Sequence, residues 1–155
     1  MDLRFSDQEN EFRAQVRGSL EQLLTGRFAA LRGRGGAGDE DALFDERLAW
    51  ERHLSANSWN CLSWPKAFGG RDLTLMQEVI FFEEYAKARA PGRLGHIGEG
   101  LLGPTLIACG NEQQKKRFLP KISAVEELWC QGYSEPGAGS DLAAVSCRAE
   151  LVNGQ

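Results

Sequence analysis

Apolar residues recur at helical spacing along most of this chain and change to strict alternation near its end. Phe12, Val16, Leu20, Leu23 and Leu24 share one face of a helix predicted over about 7–24. Ser6 and Glu9 stand three apart at its start, the spacing of a capping box in which each side chain bonds the other residue's N–H. A glycine-rich loop over 26–38 leads to a second amphipathic helix carrying Leu43, Phe44, Leu48, Trp50 and Leu54, which ends before Trp59. Trp64-Pro65 through Gly69-Gly70 reads as a turn, because Pro65 pushes Trp64 toward extended backbone and paired glycines permit a reversal. Thr74 and Gln77 repeat the capping-box spacing. The helix they open runs through Met76, Val79, Ile80, Phe82, Glu83 and Ala86, apolar around enough of its circumference to predict burial on more than one side. Leu101 to Cys109 is apolar and interrupted by Pro104. Asn111 is the predicted cap of a short charged helix that stops before Pro120, with a further helical turn through Ile122 and Val125.

After Glu127 the period changes. Trp129 to Ser134 predicts one strand, and Val145, Cys147, Ala149 and Leu151 alternate as a second. Asn153-Gly154 is a strong hairpin signal, since both residues tolerate positive φ, yet the sequence stops at Gln155 before a returning strand. Two strands alone are marginal, so the expectation is a chain cut just inside a second domain. The fold class expected is mainly α: a helical bundle over residues 1–127, followed at 128–155 by the first strands of a β domain.

Composition narrows the function classes. A net charge of −4 over 155 residues, with acids and bases interspersed, lacks the clustered basic surface of a nucleic-acid binder. The arginines between Arg27 and Arg34 sit among glycines and read as a solvated loop. No apolar run approaches bilayer length, and the N-terminus lacks the apolar stretch of a secretory signal. Cys61, Cys109, Cys130 and Cys147 lie far apart and form no paired-ligand spacing, and only His53 and His96 could add to them. No metal site is expected, and the thiols read as reduced residues of a cytoplasmic protein.

The richest segment for chemistry is Trp129 to Asp141. Its strand-like half gives way to Pro136, Gly137 and Gly139, which cannot continue a ladder. A strand breaking into Pro-Gly-Ala-Gly-Ser-Asp gathers backbone N–H groups and the hydroxyls of Ser134 and Ser140 with little side-chain obstruction. Such a segment suits a planar cofactor or a phosphate, and an ordinary wide loop has the same composition.

Tyr133-Ser134-Glu135-Pro136-Gly137-Ala138-Gly139-Ser140-Asp141 resembles the flavin-binding signature of the acyl-CoA dehydrogenases. Further landmarks follow the family's order: Phe5-Ser6 opening the first helix, Trp64-Pro65-Lys66-Ala67-Phe68-Gly69-Gly70, and Gly103-Pro104-Thr105-Leu106. Then come Gly110-Asn111-Glu112-Gln113-Gln114-Lys115, Phe118-Leu119-Pro120 and Asn153-Gly154-Gln155. The resemblance covers nearly the whole chain, and Cys130-Gln131-Gly132-Tyr133 is most similar to bacterial members acting on bulky acyl-CoA thioesters, including those of sterol side-chain breakdown.

That resemblance implies an all-helical N-terminal domain, a middle β domain that has just begun, and a helical C-terminal domain not contained here. It implies FAD as cofactor and α,β-dehydrogenation of an acyl-CoA to a trans-2-enoyl-CoA. Gln131, Tyr133, Ser134, Gly139 and Ser140 would meet the cofactor, with Ser140 near the pyrophosphate and the acyl-CoA entrance. The family's catalytic carboxylate lies in the C-terminal domain, so no catalytic residue is assigned within the chain, and Glu135 is read as structural. Asp141 reads as a turn or cap acceptor, and Arg148 as a solvated residue within reach of a phosphate. Inner helix faces line the acyl pocket in the family, which makes Phe82, Tyr85 and Leu102 candidate substrate contacts, beside Phe81, Leu101 and Leu106. The glycines from Gly92 to Gly103 either leave room for a bulky acyl group or form a flexible connector. Expected partners are an acyl-CoA, an electron-transfer flavoprotein or similar acceptor, and further subunits in a homo- or hetero-oligomeric dimer of dimers. The competing reading is a non-catalytic helical subunit that keeps the fold for partner binding.

Overall fold

A computed structural model describes residues 4–152. Five α-helices form its body: α1 (Asp7–Leu23), α2 (Phe44–Ala56), α3 (Leu75–Lys87), α4 (Gly103–Cys109) and α5 (Glu112–Ser123). Three of them start where the capping pattern places them. Ser6 with Glu9, Thr74 with Gln77, and Asn111 with Gln114 each form a reciprocal capping box, which satisfies N–H groups the helix cannot. The loop after α1 is more ordered than its glycines imply, because Gly26–Leu31 winds into a 3-10 helix that buries Phe28 and Leu31 against α2.

α1 packs on α3, and α2 closes the same core. Val16, Leu20, Trp50, Leu54, Ile80 and Phe81 are its fully enclosed centre. Trp59 stacks on Phe81 with ring centroids 5.6 Å apart. Trp50 Nε1 donates to the Tyr85 hydroxyl, which donates in turn to the Pro91 carbonyl, so both buried polar tips are satisfied. Glu84 of α3 is buried and receives Arg13 and Arg17 of α1 together with Lys87, an ion cluster that fastens the two helices. Arg47 of α2 is also buried. Its guanidinium donates to the carbonyls of Gly35, Glu40 and Gly92, joining two connecting segments that already pair through Gly33 N–H to Arg89 O and Gly92 N–H to Arg34 O. A second, smaller core holds Cys61, Trp64, Leu119 and Ile122, with Phe118 and Trp129 packed on it edge to face.

Several expectations are corrected. α3 buries Ile80, Phe81, Glu84 and Tyr85 on one side, while Leu75, Met76, Val79 and Phe82 remain exposed. Pro104 does not interrupt the chain's helical path: residues 96–109 are continuously helical, with a π-helical turn over Gly98–Leu102. Gly103 N–H reaches back five residues to Gly98 O, and Pro104 follows at the first turn of α4, where a missing N–H costs little. α5 runs through Pro120 to Ser123. Its end is held from outside, since Ser55 Oγ and Asn60 Nδ2 both donate to Ser123 O at 2.6 Å. Neither 129–134 nor 145–152 forms a strand among the described residues. Strand backbone needs a neighbour for its N–H and C=O groups, and no other segment lies beside these two in ladder register. The single bridge there joins Glu135 and Ala138 across Pro136-Gly137, with both N–H···O distances 2.9 Å. The Asn153-Gly154 hairpin lies outside the described residues.

Candidate functional site

The helical stretch 96–109 separates two cavities. One side faces a space of about 290 Å³ walled by Leu62, Trp64, Phe82 and Pro104, with Arg93, His96 and Glu99 among its polar lining. The other side faces a space of about 240 Å³ between Ile97, Leu102 and Thr105 on the helix and Trp129, Gln131 and Tyr133 on the segment after α5. The π turn sits between them. Its wider winding sends neighbouring residues to different sides, so Glu99 and Gly100 line one cavity while Leu101 and Leu102 line the other.

Glycine is what lets these walls approach. A Cβ at Gly103 would lie 1.8 Å from the Trp64 indole, and one at Gly92 would lie 1.9 Å from Gly35 O. Those two glycines therefore serve close packing and not flexibility.

The polar wall of the first cavity is a buried charge cluster. Arg93 Nε donates to Glu51 Oε1 at 2.8 Å, and Arg93 Nη2 donates to Glu99 Oε2. Leu94 N–H joins Glu51 Oε1, and Cys61 N–H joins Glu99 Oε1, both at 2.8 Å. Trp64 Nε1 donates to Glu99 O. Glu51 Oε2 is buried with no partner. Burial works against the Arg93 charge, but the Glu51 and Glu99 carboxylates outweigh it and hold the guanidinium protonated well above its ordinary range. Burial, with Glu99 beside it, pushes the Cys61 thiol up, so it is not a thiolate nucleophile.

The residues predicted from sequence are distributed unevenly. Gln131, Tyr133 and Leu102 come together in the second cavity. Phe82 lines the first. Tyr85 is in the core, with its hydroxyl engaged by Trp50 and Pro91. Ser134, Gly139 and Ser140 are exposed and line neither cavity. Glu135 accepts from Ser146 N–H at 2.6 Å, Ser146 Oγ at 2.8 Å and Cys147 N–H at 3.2 Å. These bonds, the Ser146 N–H first, hold its carboxyl below the usual range, the behaviour of a loop anchor. Arg93, Glu99 and Trp64 were missed as lining residues. The available signal was two opposite charges within the apolar, glycine-diluted stretch 92–103. No group of metal-ligating side chains forms among the described residues, and no helix there is long and apolar enough to cross a membrane.

Residues 129–134 also suit a flavin locally. Trp129 Nε1 is buried without a partner beside the second cavity, and no backbone hydrogen bond to other described residues occupies the N–H groups of 130–134. That leaves unpaired donors beside an apolar cleft, and an acceptor-rich planar ring would supply their partners.

Comparison with known proteins places the chain. The family model described as the acyl-CoA dehydrogenase N-terminal domain matches residues 6–126. The acyl-CoA dehydrogenase IpdE1 of Mycobacterium tuberculosis is 58% identical over 151 residues, covering 94% of this chain and 39% of that protein. IpdE1 of Mycolicibacterium smegmatis is 60% identical over 142 residues, covering 92% of this chain and 36% of that one. Among solved structures, the ChsE4-ChsE5 complex from Mycobacterium tuberculosis superposes with a TM-score of 0.74 at 32% identity, covering 94% of this chain and 35% of that one. The Tcur3481-Tcur3483 steroid ACAD superposes with a TM-score of 0.78 at 32% identity, covering 96% and 37%. The chain thus spans under two-fifths of the length of these relatives.

Proposed function

The chain belongs to the acyl-CoA dehydrogenase family through that family's N-terminal domain, and on this premise we propose that it is the N-terminal part of an FAD-dependent enzyme converting an acyl-CoA thioester to its trans-2-enoyl-CoA. The observation that carries the reading is the second cavity, where Gln131 and Tyr133 from the signature segment face Leu102 across a cleft with open backbone donors. FAD, when bound, supplies the acceptor for the β-hydrogen as hydride. The chain's own share is to bind and orient: backbone groups of 131–133 and the hydroxyls of Ser134 and Ser140 hold the cofactor, with Leu102 on the cofactor side of the helical stretch 96–109, and Phe82 bounds the acyl group in the first cavity. The thioester's α-proton is weakly acidic, so a carboxylate must be positioned to take it while the carbonyl is polarised. Glu135 is committed to Ser146 and Cys147, which supports a base outside residues 1–155. Residues 128–155 begin the β domain in this reading, and their strands form against later residues.

Two relatives bear paired subunit names, and one is called a complex. This supports assembly of the full-length protein with a second acyl-CoA-dehydrogenase-like subunit; reoxidation by an electron-transfer flavoprotein or similar acceptor and a cytoplasmic location belong to the same proposal through the family resemblance alone. The test is a visible spectrum of the purified full-length protein, alone and co-expressed with a second acyl-CoA-dehydrogenase-like subunit. Flavin absorbance that bleaches on adding an acyl-CoA is expected. Protein that stays colourless in both preparations and takes up no added FAD would leave the non-catalytic subunit as the better reading.

A further inference from the structure

Arg93 and Glu99 put charge where an acyl cavity would otherwise be oily. The cavity between α3 and residues 96–104 has hydrocarbon walls at Leu62, Trp64, Phe82 and Pro104, and a simple alkyl chain would need nothing else. Its polar end is costly to build. Glu51 and Arg93 are 1% and 10% exposed, and burying such ions carries a desolvation penalty that their pairing only partly returns. Cys61 adopts a left-handed φ of 47°, strained for a residue with a side chain, and the same residue's N–H bonds Glu99 Oε1. Hydrophobic residues of similar volume would serve stability as well.

The donors and acceptors of the cluster do not balance internally. Two carboxylates face one guanidinium, a net charge of −1. Glu51 Oε2 has no donor. Arg93 uses Nε and Nη2 on the carboxylates, and Nη1 has no acceptor among the described residues, while the residue lines the cavity. The free Nη1 N–H calls for an acceptor oxygen. The negative balance, with Glu78 also in the lining, disfavours an anionic one.

We propose that Arg93, held by Glu51 and Glu99, is a specificity-determining residue that selects acyl groups carrying a neutral oxygen, a ketone or hydroxyl, remote from the thioester. This rests on the proposed function, since it takes the first cavity as the seat of the acyl group. Arg93 Nη1 donates to the substrate oxygen, and Glu99 is the acceptor available to a hydroxyl proton. An all-hydrocarbon acyl group leaves the guanidinium desolvated without a partner, and discrimination arises from that mismatch more than from the added bond.

The experiment uses the full-length, FAD-loaded protein and matched 2-enoyl-CoA products, which bind without turnover. Three share one carbon skeleton and bear a remote ketone, a remote hydroxyl or only CH2 at that position, and a fourth bears a carboxylate. Calorimetry gives the Kd of each. The ketone and hydroxyl forms are expected to bind about ten- to a hundredfold more tightly than the CH2 form, the range of one hydrogen bond to a charged group. Arg93→Lys keeps a cation facing Glu51 and Glu99 but shortens the reach. It should bring that ratio to within about threefold of unity while leaving the Kd of the CH2 form nearly unchanged. Equal binding of the oxygenated and CH2 forms by the wild-type protein overturns the inference and leaves the dehydrogenase reading intact. So does a preference that persists undiminished in Arg93→Lys, or a carboxylate form that binds best. Failure to bind any of the four overturns both. The wild-type comparison alone decides the matter if the variant does not fold.

Discussion

Glu84 sits at 2% exposure beneath Arg17, Lys87 and Arg13, and a carboxylate so placed couples the fold to pH. The Arg17 hydrogen bond, with those of Lys87 and Arg13, outweighs burial and holds its carboxyl at about 2, against 4.5 for a free glutamate. A folded-state value below the unfolded one means stability that is complete above pH 4.5 and drains away as pH falls from 4.5 toward 2. The difference is worth about 3 kcal/mol. Glu84→Gln should lower stability by about that amount at pH 7 and flatten the acid limb of a denaturation midpoint plotted against pH. An unchanged acid limb would assign the cluster to solvated surface charge. Single residues also mark the reach of sequence reasoning at the site. Gln131, Tyr133 and Leu102 were found because a motif and an apolar helix named them, and they meet. Arg93 and Glu99 were not, because a buried ion pair leaves no periodicity: its partner Glu51 is over forty positions away on α2.

At the scale of elements, three helix starts were legible in their caps, the ends of α1 and α2 fell where the apolar spacing put them, and the prolines misled. A cap is written in residues three apart, so Ser6, Thr74 and Asn111 could be read directly. Where a helix stops depends on what meets it. Pro120 looked like a terminator, yet α5 continues past it to a final carbonyl taken up by Ser55 and Asn60. Pro104 looked like an interruption, and a π turn absorbs it. The alternation after Glu127 was real as a pattern and unfulfilled as structure, because a strand is a property of two segments and a helix of one. Asn111→Ala should cost about 1 kcal/mol through the lost cap, seen as a melting temperature lower by about 2–4 °C. Asn111→Asp should restore most of it, and equal loss in both variants would show that the cap contributes nothing.

At the scale of the whole molecule, the proposed function puts the reacting carboxylate outside residues 1–155. The chain alone is therefore expected to show no flavin-dependent formation of enoyl-CoA, even with added FAD and an artificial electron acceptor. Misplacement of reacting groups by about an ångström already costs roughly a hundredfold. Measurable turnover by residues 1–155 would return Glu135 as the leading base, and Glu135→Gln would then abolish it.

The Arg47 guanidinium has a consequence for how the molecule opens. Its carbonyl acceptors, Gly35, Glu40, Ala42 and Gly92, belong to two stretches far apart in sequence, and one of them, Gly92, directly precedes Arg93. Local unfolding at either stretch must break the same guanidinium's bonds, so the two should form a single cooperative opening unit. In native-state hydrogen exchange the amides of Gly33 and Gly92 should open with matching free energies in the wild-type chain, and Arg47→Met should lower both together while Leu20 and Phe81 keep their protection. Exchange that accelerates at only one of the two glycines would mean the stretches breathe independently, and the far loop would then have no mechanical hold on the wall of the cavity.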